Sequence, residues 1–86
     1  MKMTPQQQTS AKRVLDVLDR IGAGLPIGTA FDEADRHTGR PTSADDRAYL
    51  TSLMEEEKWI DRRVDRFTGR IIHYITAEGC GAKERL

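Results

Sequence analysis

Arg62, Arg63, Arg66 and Arg70 fall close together in the chain, with Lys58 just ahead of them. A guanidinium presents a planar fork of donors that matches phosphate oxygens, so arginines gathered on one stretch suit a polyanionic backbone. Only Asp61 and Asp65 offset them, leaving residues 58–70 at a net +3. Phe67 stands at the middle of the group, and it or Arg66 has the reach to enter a minor groove. The alternative chemistry is plainer. On a solvated ribbon Arg62 and Arg70 would pair across strands with Asp61 or Asp65, each pair contributing under about 1 kcal/mol.

The residues just upstream have the opposite sign. Residues 28–57 carry Arg36, Arg40 and Arg47 against Asp32, Glu33, Asp35, Asp45, Asp46, Glu55, Glu56 and Glu57, a net −5. Arg47, Tyr49, Thr51 and Ser52 are the polar side chains there that can address base edges, and of these only Arg47 can make a bidentate contact with guanine. Asp45 and Asp46 oppose a phosphate backbone; as the first turn of a helix they favour its dipole instead. With Glu55 and Glu56 they also form a surface suited to a basic partner protein.

Other functions find little support. The chain has 86 residues, 37% hydrophobic and 33% charged, with 14 basic and 14 acidic side chains. That is one folded domain with room for one small core. A strongly basic domain would by itself have argued for nucleic acid; this one offers a local patch. Cys80 has no second cysteine to pair with, and with His37 and His73 it forms no metal-binding spacing, so neither metal nor cofactor is expected. His37 is expected to favour a helix C-terminus and His73 to be a cross-strand residue. No nucleophile, base and orienting group are brought together by spacing, so no catalytic residue is assigned. No apolar run approaches the roughly 20 residues that span a bilayer, and the N-terminus lacks a signal-peptide core, which makes the cytoplasm the expected location and a membrane partner unexpected.

The elements that must carry these side chains follow from periodicity and punctuation. Thr4-Pro5-Gln6-Gln7 is a capping-box start, and Ala11, Val14, Leu15, Leu18 and Ile21 recur at helical spacing, predicting a helix over about 5–21. Leu25-Pro26-Ile27-Gly28 reads as an extended link able to pair with a later ribbon. Thr29 then caps a helix over about 30–38, whose apolar face of Phe31 and Ala34 is narrow, predicting the least stable of the helices. Thr42 or Ser43 caps a helix over about 43–57 with Leu50, Leu53, Met54 and the stem of Glu57 inward and Asp45, Ala48, Ser52, Glu55 and Glu56 outward. Strands over about 59–64 and 70–75 flank the turn Arg66-Phe67-Thr68-Gly69. A short segment over 76–86 begins at a Thr cap and is weakened as a helix by Gly79 and Gly81.

The order helix, link, helix, helix, ribbon, cap resembles the winged helix-turn-helix superfamily, an α+β fold with a three-helix core and a hairpin wing. Leu50-x-x-x-Met54, Trp59-Ile60, Asp65-Arg66-Phe67-Thr68-Gly69-Arg70 and Tyr74-Ile75-Thr76-Ala77-Glu78-Gly79 together look like the second half of MarR-type and PadR-type transcription regulators. The chain is also similar to small winged-helix proteins of Mu-like prophages. The resemblance covers about residues 9–80. It implies a bacterial or phage regulator that contacts duplex DNA through the third helix and the wing, often as a homodimer joined by the first helix or the terminal segment. Two departures stand out: Lys58 occupies a turn where those families place Gly, and the third helix lacks the basic and amide residues usual on its outer side.

Overall fold

The computed structural model describes residues 3–86. Four helices and a two-stranded antiparallel sheet make an α+β fold: α1 (Pro5–Arg20), α2 (Ile27–Thr38), α3 (Ala44–Glu56), β1 (Ile60–Val64), β2 (Ile71–Ile75) and α4 (Ala77–Arg85).

The start of α1 is the expected capping box. Thr4 Oγ1 accepts from the Gln7 N–H at 3.1 Å, and Gln7 Oε1 accepts from the Thr4 N–H at 2.9 Å. Each side chain thereby satisfies a backbone donor that a helix start leaves without a partner. Ala11, Val14, Leu15, Val17 and Leu18 form its buried face, while Ile21 caps the C-terminal end, 44% exposed, and adds nothing to the core.

The link to α2 is shorter than expected. Leu25 alone pairs with His73, through mutual backbone hydrogen bonds of 2.9 and 2.8 Å, so the sheet gains a third, one-residue edge. Gly24 allows that approach: its φ is +98°, and a Cβ there would stand 2.8 Å from the His73 carbonyl oxygen. The helix then starts at Ile27 with Pro26 as N-cap, which places Thr29 inside α2 rather than at its cap. Proline presets φ but supplies no side-chain acceptor, so no side chain caps this end. Ala30 adds to Phe31 and Ala34, and all three are buried, giving α2 a firmer seat than two apolar residues would provide.

Ser43, not Thr42, caps α3, accepting from the Asp46 N–H at 3.2 Å. Leu50, Leu53 and Met54 point inward as expected, but Glu57 is exposed and Glu55 is half-buried against the ribbon. The helix ends in a Schellman turn, with the Trp59 N–H donating to Met54 O and the Lys58 N–H to Glu55 O. Lys58 takes the left-handed conformation at φ 64°, in the place that ordinarily favours glycine.

The hairpin pairs Ile60 with Ile75, Asp61 with Tyr74, Arg62 with His73, Arg63 with Ile72 and Val64 with Ile71. Past it the chain does form a helix, α4, despite its glycines. Thr76 Oγ1 accepts from the Gly79 N–H at 3.1 Å and donates to the carbonyls of Lys58 and Trp59, tying α4 to the turn after α3. Gly79 is required by packing here: a Cβ would lie 2.1 Å from Trp59 O. Ala82 joins the core. Lys83 Nζ, 3.3 Å from Asp16 and 2.8 Å from Asp19, clamps α4 to α1.

Candidate nucleic-acid interface

The basic hairpin is built around Asp65. Its N–H donates to Arg70 O at 2.8 Å, its carbonyl accepts from the Gly69 N–H at 2.8 Å, and its carboxylate accepts from the Phe67 N–H and the Thr68 hydroxyl at 3.0 and 3.1 Å. An Asx-type turn of this kind fixes the loop from within. Phe67 is left 98% exposed at the tip, with Arg66 and Arg70 on either side of the turn.

The four arginines divide into two kinds. Arg63 reaches back to Ala23 O at 2.6 Å and lies over the Tyr74 ring at 5.9 Å, so it fastens the hairpin to the link before α2. Arg62 Nε is 3.7 Å from Glu55, a loose pair on a side chain that is 64% exposed. Among the described residues neither Arg66 nor Arg70 has a carboxylate at ion-pair distance. The alternative pairing of Arg62 and Arg70 with Asp61 or Asp65 does not form, because Asp65 serves the turn and Asp61 accepts from the Arg62 N–H and the Tyr74 hydroxyl. Val64 and Ile71, a cross-strand pair next to the tip, are 63% and 52% exposed.

The side chains of α3 are arranged differently from this free end. Arg47 Nη1 lies 3.0 Å from Asp32 and Nη2 2.9 Å from Asp35, Nε donates to Thr42 O at 3.2 Å, and the guanidinium sits 5.4 Å from the Phe31 ring centroid. Each of its three guanidinium nitrogens has a partner within the protein, and the one side chain of α3 able to read guanine is turned toward α2. Burial would lower its pKa, but hydrogen bonds and attraction from Asp32 and Asp35 outweigh that and raise it. Burial would likewise raise the Asp35 carboxyl; hydrogen bonds from the Thr42 hydroxyl and N–H and from Arg47 hold it below its ordinary value.

Thr51 turns back on its own helix, donating to Arg47 O at 2.7 Å. Tyr49, at 38% exposure, and Ser52 lie on the outer side together with Asp45 and Glu56. Asp46 accepts from Gln7 Nε2 at 3.1 Å and joins α3 to the start of α1. Glu55 leaves the outward group altogether, its Oε2 lying 3.0 Å from His73 Nε2. His73 is 5% exposed, far more enclosed than a surface cross-strand residue, and its Nδ1 has no partner among the described residues.

Asp35, as the residue that holds Arg47, is invisible to local sequence patterns, since it comes from a different helix. The apolar tip was open to inference, because Val64 alternates in phase with Ile60 while lying beyond the reach of the core.

Among the described residues, no group of three or more His, Cys, Asp or Glu is placed to hold a metal ion, and no helix is long and apolar enough to cross a membrane. A surface depression of about 650 Å³ between α1 and α4 is lined by Lys12, Arg13 and Lys83 alongside Asp16 and Glu84, charges that largely offset one another. No family model matches the chain, and neither a curated protein nor a solved structure matches it significantly.

Proposed function

We propose that the chain is a winged-helix domain that binds duplex DNA, as part of bacterial or phage transcription regulation, and that its hairpin wing makes the principal contact. The observation that carries this reading is the end of the wing: Arg66 and Arg70 flank the exposed Phe67, with no carboxylate at ion-pair distance among the described residues. Unpaired guanidiniums beside an aromatic wedge suit phosphates on both sides of a minor groove. The order of three helices followed by a hairpin and a capped fourth helix supports the winged-helix assignment. In this reading α3 docks with little base readout, since Arg47 is held by Asp32 and Asp35.

Binding of a labelled random duplex at about 50 mM salt tests it. Micromolar affinity that falls steeply with added salt, and is lost in Arg66→Glu/Arg70→Glu, is expected. Absence of binding by native protein at micromolar concentration overturns the reading.

A second reading is favoured by the outer side of α3, where Asp45, Tyr49, Ser52 and Glu56 recur at helical spacing and no basic side chain pairs with Asp45 or Glu56 among the described residues. Such a stripe suits a basic protein partner. Capture of that partner is expected to be abolished by Asp45→Lys/Glu56→Lys, and capture that survives the double change removes the stripe as the docking surface.

A further inference from the structure

The two surfaces just described are complementary to each other. The wing end presents Arg66 and Arg70 around the apolar group Phe67, Val64 and Ile71. The outer face of α3 presents Asp45 and Glu56 at the two ends of a stripe with Tyr49 between them. Eleven helical steps put those acids about 16 Å apart, long enough for a hairpin end to lie between them. Among the described residues none of Arg66, Arg70, Asp45 and Glu56 has an ion-pair partner, and all four belong to one protein of net charge zero. The formal charges of the two stretches, −5 for residues 28–57 and +3 for residues 58–70, are opposite in sign, as such a contact needs.

We propose that the basic wing of one copy docks on the acidic stripe of α3 of a second copy, head to tail. This rests on the acidic stripe of the second reading above and gives its partner as the wing of the same protein. Arg66 and Arg70 approach the carboxylates of Asp45 and Glu56, while Phe67 lies over the middle of the stripe, near Tyr49 and Ser52. Because the surfaces differ, the contact is heterologous: each docked pair still has a free wing at one end and a free stripe at the other, so the assembly lengthens with concentration instead of stopping at a symmetric dimer. One hairpin end against one helix face is smaller than the roughly 800 Å² per partner of a stable complex, so the association is weak and reversible. Its charges sit at the surface, so salt weakens it. Duplex DNA and the stripe compete for the same arginines, and the assembly opens when the wing engages phosphate.

Sedimentation velocity without DNA tests the proposal separately from the duplex titration. For native protein, the weight-average sedimentation coefficient rises with concentration at about 50 mM salt and returns to the monomer value at about 500 mM. Arg66→Glu/Arg70→Glu alone and Asp45→Lys/Glu56→Lys alone each remain monomeric, since each now sets like charge against like. An equimolar mixture of the two associates again, because a reversed wing meets a reversed stripe and the native wing meets the native stripe. Phe67→Ala leaves the charges unchanged and weakens association several-fold. Circular dichroism and urea midpoints confirm that each variant is folded. Native protein that stays monomeric at low salt and millimolar concentration overturns the proposal. Variants that still associate alone, or a folded mixture that does not recover association, do so as well. A monomeric native protein that nonetheless captures another basic protein through the stripe leaves the second reading standing and removes only the self-docking.

Discussion

Arg47 Nη2 lies 2.9 Å from Asp35 Oδ2, across the junction of α2 and α3, on side chains 27% and 13% exposed. Asp35 also accepts from the Thr42 hydroxyl at 2.6 Å and the Thr42 N–H at 2.8 Å, so one carboxylate holds both the loop before α3 and its first turn. This makes the pair a hinge pin between helices. It withdraws Arg47 from any ligand that approaches the outer face of α3.

Asp35→Ala removes a part-buried, charge-assisted network and leaves the Arg47 guanidinium short of an acceptor. A loss of about 2–3 kcal/mol is expected, read as a lower urea midpoint at constant slope. Asp32→Ala, at a carboxylate 66% exposed, is expected to cost under about 1 kcal/mol. Equal losses for the two would contradict the division of labour.

The pH dependence follows from the same group. The Asp35 carboxyl lies below its ordinary value in the fold, as does Asp19, which the Lys83 ammonium lowers through a hydrogen bond and its charge. A depressed folded pKa contributes stability above the unfolded value of about 3.9, and that contribution is lost as pH falls through the folded value. The melting temperature is therefore expected to be insensitive to these two groups between neutral pH and about pH 5, then to fall below about pH 4. Asp35→Asn starts lower at neutral pH and falls less steeply in acid; a parallel curve would show that Asp35 contributes nothing to the acid limb.

Lys58 holds a left-handed backbone at φ 64° in the turn after α3. Lys58→Gly relieves that conformation at the C′ position and is expected to raise stability by about 1 kcal/mol, measured by urea denaturation. A destabilised variant would mean that the lysine side chain makes a contribution larger than its backbone cost.

Gly79→Ala is the opposite case. Its Cβ would stand 2.1 Å from Trp59 O and 2.7 Å from Ile75 Cγ1, so α4 must shift away from the hairpin base. Overpacking of this kind costs about 1–3 kcal/mol. Gly81→Ala, whose nearest neighbour is the end of the Arg85 side chain at 3.4 Å, is expected to be neutral or stabilising. Comparable thermal shifts for both variants would refute the close approach.

Phe67→Ala separates fold from function. A side chain 98% exposed contributes little to the core, so stability is expected to change by under about 0.5 kcal/mol. Duplex affinity is expected to fall several-fold, and an unchanged affinity would exclude Phe67 from the contact.

Much of the framework was legible because it is local. The Thr4 and Gln7 capping box, the inward faces of α1 and α3 and the hairpin bounding Phe67 all follow from contacts between residues a few positions apart. The unusual backbone at Lys58 was also foreseeable, since a turn that ordinarily needs glycine had been given a lysine. The start of α2 was misjudged because Thr29 is a better side-chain cap than Pro26, yet the Leu25 bridge to His73 places the chain so that the helix begins three residues earlier.

The amino-acid order by itself determined the sequence of elements, the Thr4 and Thr76 caps of α1 and α4 and the separation of charge between the acidic α2–α3 stretch and the basic hairpin. Only the tertiary structure decided which charges are committed. Arg47 and Arg63 are drawn into the protein by Asp32, Asp35 and the Ala23 carbonyl, while Glu55 turns inward to His73. Arg66 and Arg70 remain outside because the hairpin carries them past the core, beyond the reach of any carboxylate among the described residues. The physical reason is range: a helix or turn is specified by neighbours in sequence, whereas an ion pair depends on which surfaces the core brings within a few ångströms.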